Sequence, residues 1–324
     1  MEPSPATQKA SEPCPACANP AHIPVGVTSR GYHGLKCIGC GLVRTHPMPD
    51  DATLNEFYQG FDFQKPDTVE IPRLLPRIER SLEHFIGRAQ PGARFLDFGG
   101  ASGIYCLAAR NLGYDPFLFD FDSNMIDFAR TQLKLENSTT RLDEVPREAF
   151  DVIFCYHVIE HSNDLGSFLG TLRRFLKPGG RLVLATPSAE NAEKYVRVQH
   201  LARYWLRLTR ARVSAMAALG LVLRRNSIFC WDPPRHLFAF TGAGMKSLLE
   251  RHGWDALVQH GYSCDPLFEP RQYITPPLSS IFAGPGRRVV RNAITWAEGV
   301  ALKPVSWVLP EGGEQLYCTA RLKN

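Results

Sequence analysis

The sequence predicts an α/β fold, with strands and helices alternating around a mostly parallel sheet, and a small cysteine-rich ribbon in front of it. Three observations carry this expectation. A short apolar run, Phe95-Leu96, ends at Asp97. A glycine-rich turn with Gly99, Gly100 and Gly103 follows, then an apolar helical stretch to Gly113, then a second apolar run, Pro116 to Phe119, that ends at Asp120. The strand–helix alternation continues further along: Val152-Ile153-Phe154 is followed by a helix starting at Asp164 and by a strand from Arg181 to Ala185. Near the N-terminus, Cys14-Pro-Ala-Cys17 and Cys37-Ile-Gly-Cys40 place two thiols on each of two tight knuckles.

A chain of 324 residues holds one large domain and a small one, and 44% hydrophobic content is that of an ordinary globular protein. The net charge of +5 argues neither for nor against a nucleic-acid partner. No N-terminal apolar segment has the form of a signal peptide. The longest apolar run, Val213 to Leu223, is interrupted by Ser214 and Gly220 and is too short to span a bilayer. Four of the nine cysteines are paired as CxxC, and the others (Cys106, Cys155, Cys230, Cys264, Cys318) lie mostly in apolar segments. That usage fits a reducing, cytoplasmic setting better than a disulfide scaffold.

In chain order, residues 1–13 read as a disordered tail rich in Pro, Ser, Glu and Ala. Residues 14–45 read as a zinc ribbon. Four soft ligands, Cys14, Cys17, Cys37 and Cys40, close a tetrahedral site for structural Zn²⁺, and His22, His33 and His46 are left as surface residues. Residues 46–70 form a connector rich in Pro and aromatics, with a short helix around Leu54–Tyr58 and with Tyr58 or Phe61 placed to help close a pocket. Residues 71–324 form the α/β domain. Leu74, Ile78, Leu82 and Phe85-Ile86 give its first helix, Arg73 to Arg88, a helical period. Ser123 is placed to cap a helix carrying Met125, Phe128-Ala129 and Leu133. Residues 189–231 lengthen one connection and read as a lid of one or two helices. Residues 265–313 are proline-rich and placed to complete the substrate pocket. Gln315 to Leu322 is a last strand.

The spacing Asp97-x-Gly99-x-Ala101-x-Gly103 lacks the G-x-G-x-x-G of a dinucleotide site, which argues against NAD or FAD. Glycines in such a turn let a backbone approach a ligand closely. Asp120, 23 residues after Asp97, lies where an acid can receive two ribose hydroxyls.

These motifs resemble the class I S-adenosylmethionine-dependent methyltransferases. The glycine turn is followed by Phe119-Asp120-Phe121-Asp122-Ser123-Asn124-Met125; Phe150–His161 (FDVIFCYHVIEH) is similar to the fourth-strand motif of that family, and Leu172–Ser188, with its Lys-Pro-Gly-Gly turn, to its fifth-strand block. The subgroup most resembled includes ubiquinone-pathway O-methyltransferases, together with small natural-product and sugar methyltransferases that carry a zinc ribbon. Ala101 departs from the family's usual glycine. The resemblance implies a Rossmann-like, seven-stranded, mostly parallel sheet with an antiparallel last strand. It implies S-adenosylmethionine as cofactor. Asp97, Phe98, Gly99, Gly100 and Gly103 would hold its methionine portion, Asp120 its ribose, and Phe121 and Met125 its adenine, with a further adenine contact at Asp143. Tyr156 and His157 would lie near the sulfonium.

Methyl transfer from a sulfonium is an in-line displacement in which proximity does much of the work, and a base is needed only where the acceptor must lose a proton. His157, His161 and His236 are the candidates. His157 and His161 flank Glu160 at i and i+4, and would share a face on a helical turn, while His236 sits in a loop, Asp232–Thr241, that resembles the family segment returning over the active site. Glu160 caps the local turn, orients a histidine or, as the resemblance to quinone-pathway relatives implies, binds a divalent cation. HVIEH is not H-E-x-x-H, so it does not read as a catalytic zinc site.

The expected function is therefore methylation of a small-molecule acceptor, lipid-like or a natural product, most readily at oxygen. A zinc-ribbon RNA methyltransferase is disfavoured, because residues 14–41 hold only Arg30 and Lys36 as strong cations. A non-catalytic cofactor-binding or docking module is the other alternative. The basic, apolar stretch 205–225 is a candidate for peripheral membrane contact.

Overall fold

The computed structural model describes residues 12–28, 30–59, 68–69, 71–192, 230–261, 303–309, 311 and 313–323. Residues 1–11 of the expected tail, the bulk of the 189–231 lid, the 205–225 stretch, Phe61, Cys264 and most of 265–313 lie outside them.

The large sheet has seven strands: β4 (Arg94–Phe98), β5 (Asp115–Phe119), β6 (Ser138–Thr139), β7 (Phe150–Tyr156), β8 (Leu176–Pro187), β10 (Trp254–Gly261) and β11 (Gln315–Leu322). Their spatial order is β10-β11-β8-β7-β4-β5-β6. β5 and β7 flank β4 in parallel, β6 and β8 extend the parallel set, and β11 inserts antiparallel between β8 and β10. The expected mostly parallel sheet with an antiparallel last strand is what forms. The strand order reverses beside β4, the position at which ligands bind in an open α/β sheet, and the tips of β4, β5 and β7 carry Asp97, Asp120 and Tyr156 there.

Both faces of the sheet are covered. On one, α2 (Ile71–Ile86) and α3 (Ile104–Asn111) bury Ile78, Leu82, Phe85 and Cys106 against Phe95, Phe154 and Val183, and Phe85 stacks on Tyr317 with ring centroids 4.7 Å apart. On the other, α5 (Leu165–Phe175) and α6 (Gly242–Arg251) bury Leu169, Leu172, Met245 and Leu248 against Leu96, Ile153, Leu182 and Leu184. Alternate residues of one strand thus serve opposite cores, the period of two expected of a sheet buried on both sides.

Several local expectations shift. The first helix begins at Ile71 rather than Arg73, with Pro72 in its first turn, where a missing N–H does no harm. α4 (Ser123–Leu133) is capped by Asp122, which accepts from Asn124 N at 2.8 Å; Ser123 is its first helical residue. His22 is buried rather than on the surface, its Nδ1 lying 3.2 Å from Pro20 O.

The N-terminal segment forms a second, antiparallel sheet from β1 (His22–Val27), β2 (His33–Cys37) and β3 (Val43–His46). Its fourth strand is β9 (Phe238–Ala239), which belongs to the segment between β8 and α6. A short helix, α1 (Asp51–Gln59), follows the ribbon, with Leu54 buried against the larger core.

Candidate functional site

The glycine turn closes on itself. Gly99 and Gly103 have φ of +72° and +78°, and a Cβ on either would meet Val158 or Leu135 at 2.6 Å. Glycine is thus demanded first by the protein's own packing and by the left-handed backbone. Asp120 ties the turn down: its Oδ2 accepts from Ala101 N at 2.7 Å and its Oδ1 from Asp122 N at 2.9 Å. Ala101 takes a left-handed φ of +46° without being glycine.

Asp97 lies beneath this turn. It is fully buried, neither carboxylate oxygen has a hydrogen-bond partner, and a Cβ on Gly100 would sit 2.2 Å from its Cγ. Burial, and then the nearby Asp120 carboxylate, push the Asp97 carboxyl up to about 8, against a partial offset from the Cys106 backbone. A buried acid without a partner is neutralised either by a proton or by a paired cation. Burial raises Asp120 as well, opposed by the N–H groups of Asp122 and Ala101.

Other residues expected at this site divide. Phe98 points into the core, its ring 4.8 Å from Phe119, so only its backbone faces the turn. Met125 is buried, whereas Phe121 is 76% exposed and edge-on to Phe119 at 4.9 Å. Asp143 stands on an exposed 3-10 turn, ion-paired with Arg141 at 2.7 Å. Tyr156 is half-buried between Tyr105, at 5.2 Å, and His157, at 4.4 Å.

Beyond the tip of β7 the chain does not form the helical turn that would put His157 and His161 on one face. His157 takes a left-handed φ of +57°, and a single 3-10 turn, Ile159–His161, follows. Glu160 therefore becomes the centre. It is 1% exposed, its Oε1 lies 3.1 Å from His157 Nδ1, and the rings of His161 and His236 are 4.9 Å apart beside it. Burial would raise the Glu160 carboxyl, but His157 and the fields of His161 and His236 hold it at about 2.

The two inner histidines differ in what their nitrogens do. His161 Nδ1 lies 2.8 Å from Arg235 O and 2.7 Å from Tyr58 Oη. A carbonyl oxygen only accepts, so the proton sits on Nδ1 and the lone pair on Nε2. Burial lowers its pKa and keeps the ring neutral. His236 donates from Nδ1 to Cys230 O at 3.0 Å, and its Nε2 receives Arg235 Nε–H at 3.2 Å and Nη2–H at 3.1 Å. Burial takes its pKa to about 3. Glu160, His161 and His236 lie close enough to share an ion, but the Arg235 guanidinium occupies the His236 lone pair and opposes a cation there. Arg235 drew no notice in the sequence because its role depends on a fold-level contact with its own neighbour.

In the ribbon, the four sulfurs all lie within 4.8 Å of one another, with Cys14–Cys40 at 3.6 Å and Cys17–Cys37 at 3.5 Å. A disulfide needs about 2.05 Å. The edge of a zinc–thiolate tetrahedron with bonds of ~2.3 Å is ~3.8 Å, so the donor set fits such an ion. The contact between the Cys14 and Cys40 thiols lowers the pKa of Cys14 and raises that of Cys40, so without a cation the pair shares a proton. Among the described residues, the other cysteines are buried single thiols.

A family model described as a methyltransferase domain matches residues 71–260. Ubiquinone biosynthesis O-methyltransferases from Rhodopseudomonas palustris and a Bradyrhizobium species are 36% and 34% identical over 101 residues, which is 29% of this chain. The match spans about 40% of the length of each of those relatives. Among solved structures, an S-adenosylmethionine-dependent methyltransferase from Archaeoglobus fulgidus aligns at 16% identity, TM-score 0.43, over 84% of this chain and 99% of that one. Phosphoethanolamine N-methyltransferase 2 from Haemonchus contortus, in complex with S-adenosylmethionine, aligns at 14% identity, TM-score 0.48, over 87% and 61%.

Proposed function

The chain belongs to the methyltransferase-domain family, and we propose that it transfers a methyl group from S-adenosylmethionine to an oxygen of a small-molecule acceptor, with His161 as the base. The observation that carries this reading is the His161 tautomer: a neutral imidazole whose Nδ1–H is anchored on Arg235 O leaves Nε2 to take a proton from a hydroxyl. The ubiquinone-pathway names of the relatives point to oxygen too, over the part they share. His236, with both nitrogens engaged, packs and orients His161. Glu160, kept anionic, favours the imidazolium formed when His161 takes the proton.

On the donor side, the unpartnered Asp97 suits the ammonium of the cofactor's methionine portion. On this reading Asp120 offers its remaining lone pairs to ribose hydroxyls while bracing the turn, and Phe121 and Met125 would border the adenine. The bound cofactor supplies an already activated methyl group; the protein's task is to hold the acceptor oxygen in line and exclude water. Zinc in the four-cysteine cage is part of the same proposal, as a structural ion.

Incubating the protein with methyl-labelled S-adenosylmethionine and a panel of phenols, enols, carboxylic acids and amines, with products located by mass spectrometry, tests the reading. O-methyl products that disappear in His161→Ala support it. N- or C-methyl products alone, or unchanged turnover in that variant, overturn it.

A further inference from the structure

The ribbon shares no residue with the proposed donor site, yet it is bonded into the segment that carries His236. Thr45, on β3, is 2% exposed. Its backbone N–H and its hydroxyl both donate to Leu237 O, at 2.9 and 2.7 Å. The same hydroxyl accepts from the Trp231 indole N–H at 2.9 Å. Leu237 N–H in turn donates to Glu160 O at 2.8 Å. One ribbon side chain therefore grips both Trp231 and Leu237, the residues that bracket the Asp232–His236 turn, and the second of them is bonded to the Glu160 backbone. A second tie runs from Thr241 Oγ1 to Cys40 O at 2.6 Å, joining the end of the same segment to a sulfur-bearing knuckle.

We propose that Thr45 is a positioning residue of the acceptor site: through Trp231 and Leu237 the ribbon sets the placement of His236 and of the Glu160–His161 turn. This rests on the reading of His161 as the acceptor-side base. A hydroxyl that gives its proton to one buried carbonyl and accepts a second buried donor has no substitute in valine, which has its shape without its polarity: the Trp231 indole N–H would lose its acceptor, and Leu237 O would keep only the Thr45 backbone N–H. Serine keeps both bonds. A contact serving only general stability would weaken the whole fold, whereas Asp97 and Asp120 hang on β4 and β5, which Thr45 does not reach. The effect should therefore divide the site into an acceptor half that responds and a donor half that does not.

The test uses the full chain with its metal, as wild type, Thr45→Val and Thr45→Ser. Backbone amide exchange, imidazole nitrogen NMR signals of His161 and His236, and calorimetric affinity for S-adenosylhomocysteine are measured together. Thr45→Val is expected to speed exchange in 159–161 and 231–240 about tenfold or more and to shift both imidazoles. S-adenosylhomocysteine affinity should stay within about threefold, and Thr45→Ser should restore wild-type behaviour. Unchanged loop exchange and imidazole signals in Thr45→Val overturn the proposal. So does a uniform rise in exchange that includes Arg94–Phe98 together with lost affinity. If Thr45→Val does not fold, Trp231→Phe, which deletes the indole donor together with part of the buried ring, must show the same confinement of the change to 159–161 and 231–240 with donor-side affinity kept. If the imidazoles respond but His161→Ala retains full turnover, the base assignment falls while the positioning role stands.

Discussion

Asp120 Oδ2 accepts a hydrogen bond from Ala101 N at 2.7 Å, and Ala101 is held at a φ of +46° to make it. The acid proposed to bind ribose is thus also the brace of the turn beneath the cofactor. Asp120→Ala should weaken S-adenosylhomocysteine binding by about 10- to 100-fold, the loss of a charged hydrogen bond. Calorimetry checks this; unchanged affinity would remove the ribose assignment.

Ala101→Gly relieves the left-handed strain. Against the added freedom of the unfolded chain, a net gain of about 0.5 kcal/mol is expected, read as a higher denaturation midpoint with binding retained. A loss of stability would show that the methyl group's packing outweighs the strain.

Asp97 links the cofactor to protons. In the empty site its pKa is raised to about 8, so at pH 7 the carboxyl holds a proton that it would release when a cation pairs with it. Binding of S-adenosylhomocysteine should release up to one proton below that pH, and affinity should climb with pH and level off above about 8. For folding the sign is the same as for any raised group: the stability is fully present below the unfolded value near 3.9 and is lost as pH rises toward 8. Asp97→Asn should therefore stabilise the empty protein at pH 8 while weakening binding. Calorimetry in buffers of different ionisation enthalpy counts the proton, and zero release in wild type would contradict the assignment.

Tyr58, 2.7 Å from His161 Nδ1, has its hydroxyl pushed up to about 12 by burial and so stays a neutral partner. Tyr58→Phe leaves Arg235 O in place. Turnover should fall about 3- to 10-fold with S-adenosylhomocysteine affinity unchanged. A fall in that affinity instead would place α1 on the donor side.

Metal analysis of the purified chain should find one zinc per molecule. Cys37→Ser should lose it and should loosen the ribbon sheet in amide exchange. Iron, or no metal, would overturn the four-thiolate assignment.

Much of this architecture could be read from the chain. The strand–turn–helix–strand from Phe95 to Asp120 and the Lys-Pro-Gly-Gly turn are local patterns, set by periodicity and glycine placement, and the sheet formed around them as expected. The two CxxC knuckles carried their own geometry and the four sulfurs converged. What was not legible came from contacts distant in sequence. Glu160 as the hub of three imidazoles depends on His157 taking a left-handed φ of +57°, so the i, i+4 helical spacing of His157 and His161 does not apply. Thr45 and Arg235 carry no motif; each matters because of what a remote or neighbouring backbone presents to it. The purpose of Gly99 and Gly103 was also only half visible, since Val158 and Leu135 demand the missing Cβ before any ligand does.

The shared edge between β3 and β9 has a consequence for biosynthesis. Thr45 and Leu237 are 192 residues apart. At about 5–20 residues per second, a nascent ribbon waits roughly 10–40 s before its closing strand is made. During that interval the outer side of β3 is an open edge, able to pair with any extended chain nearby. Early metal capture would hold the knuckles but leave that edge bare. Completion of the ribbon sheet therefore falls to a segment translated 192 residues later.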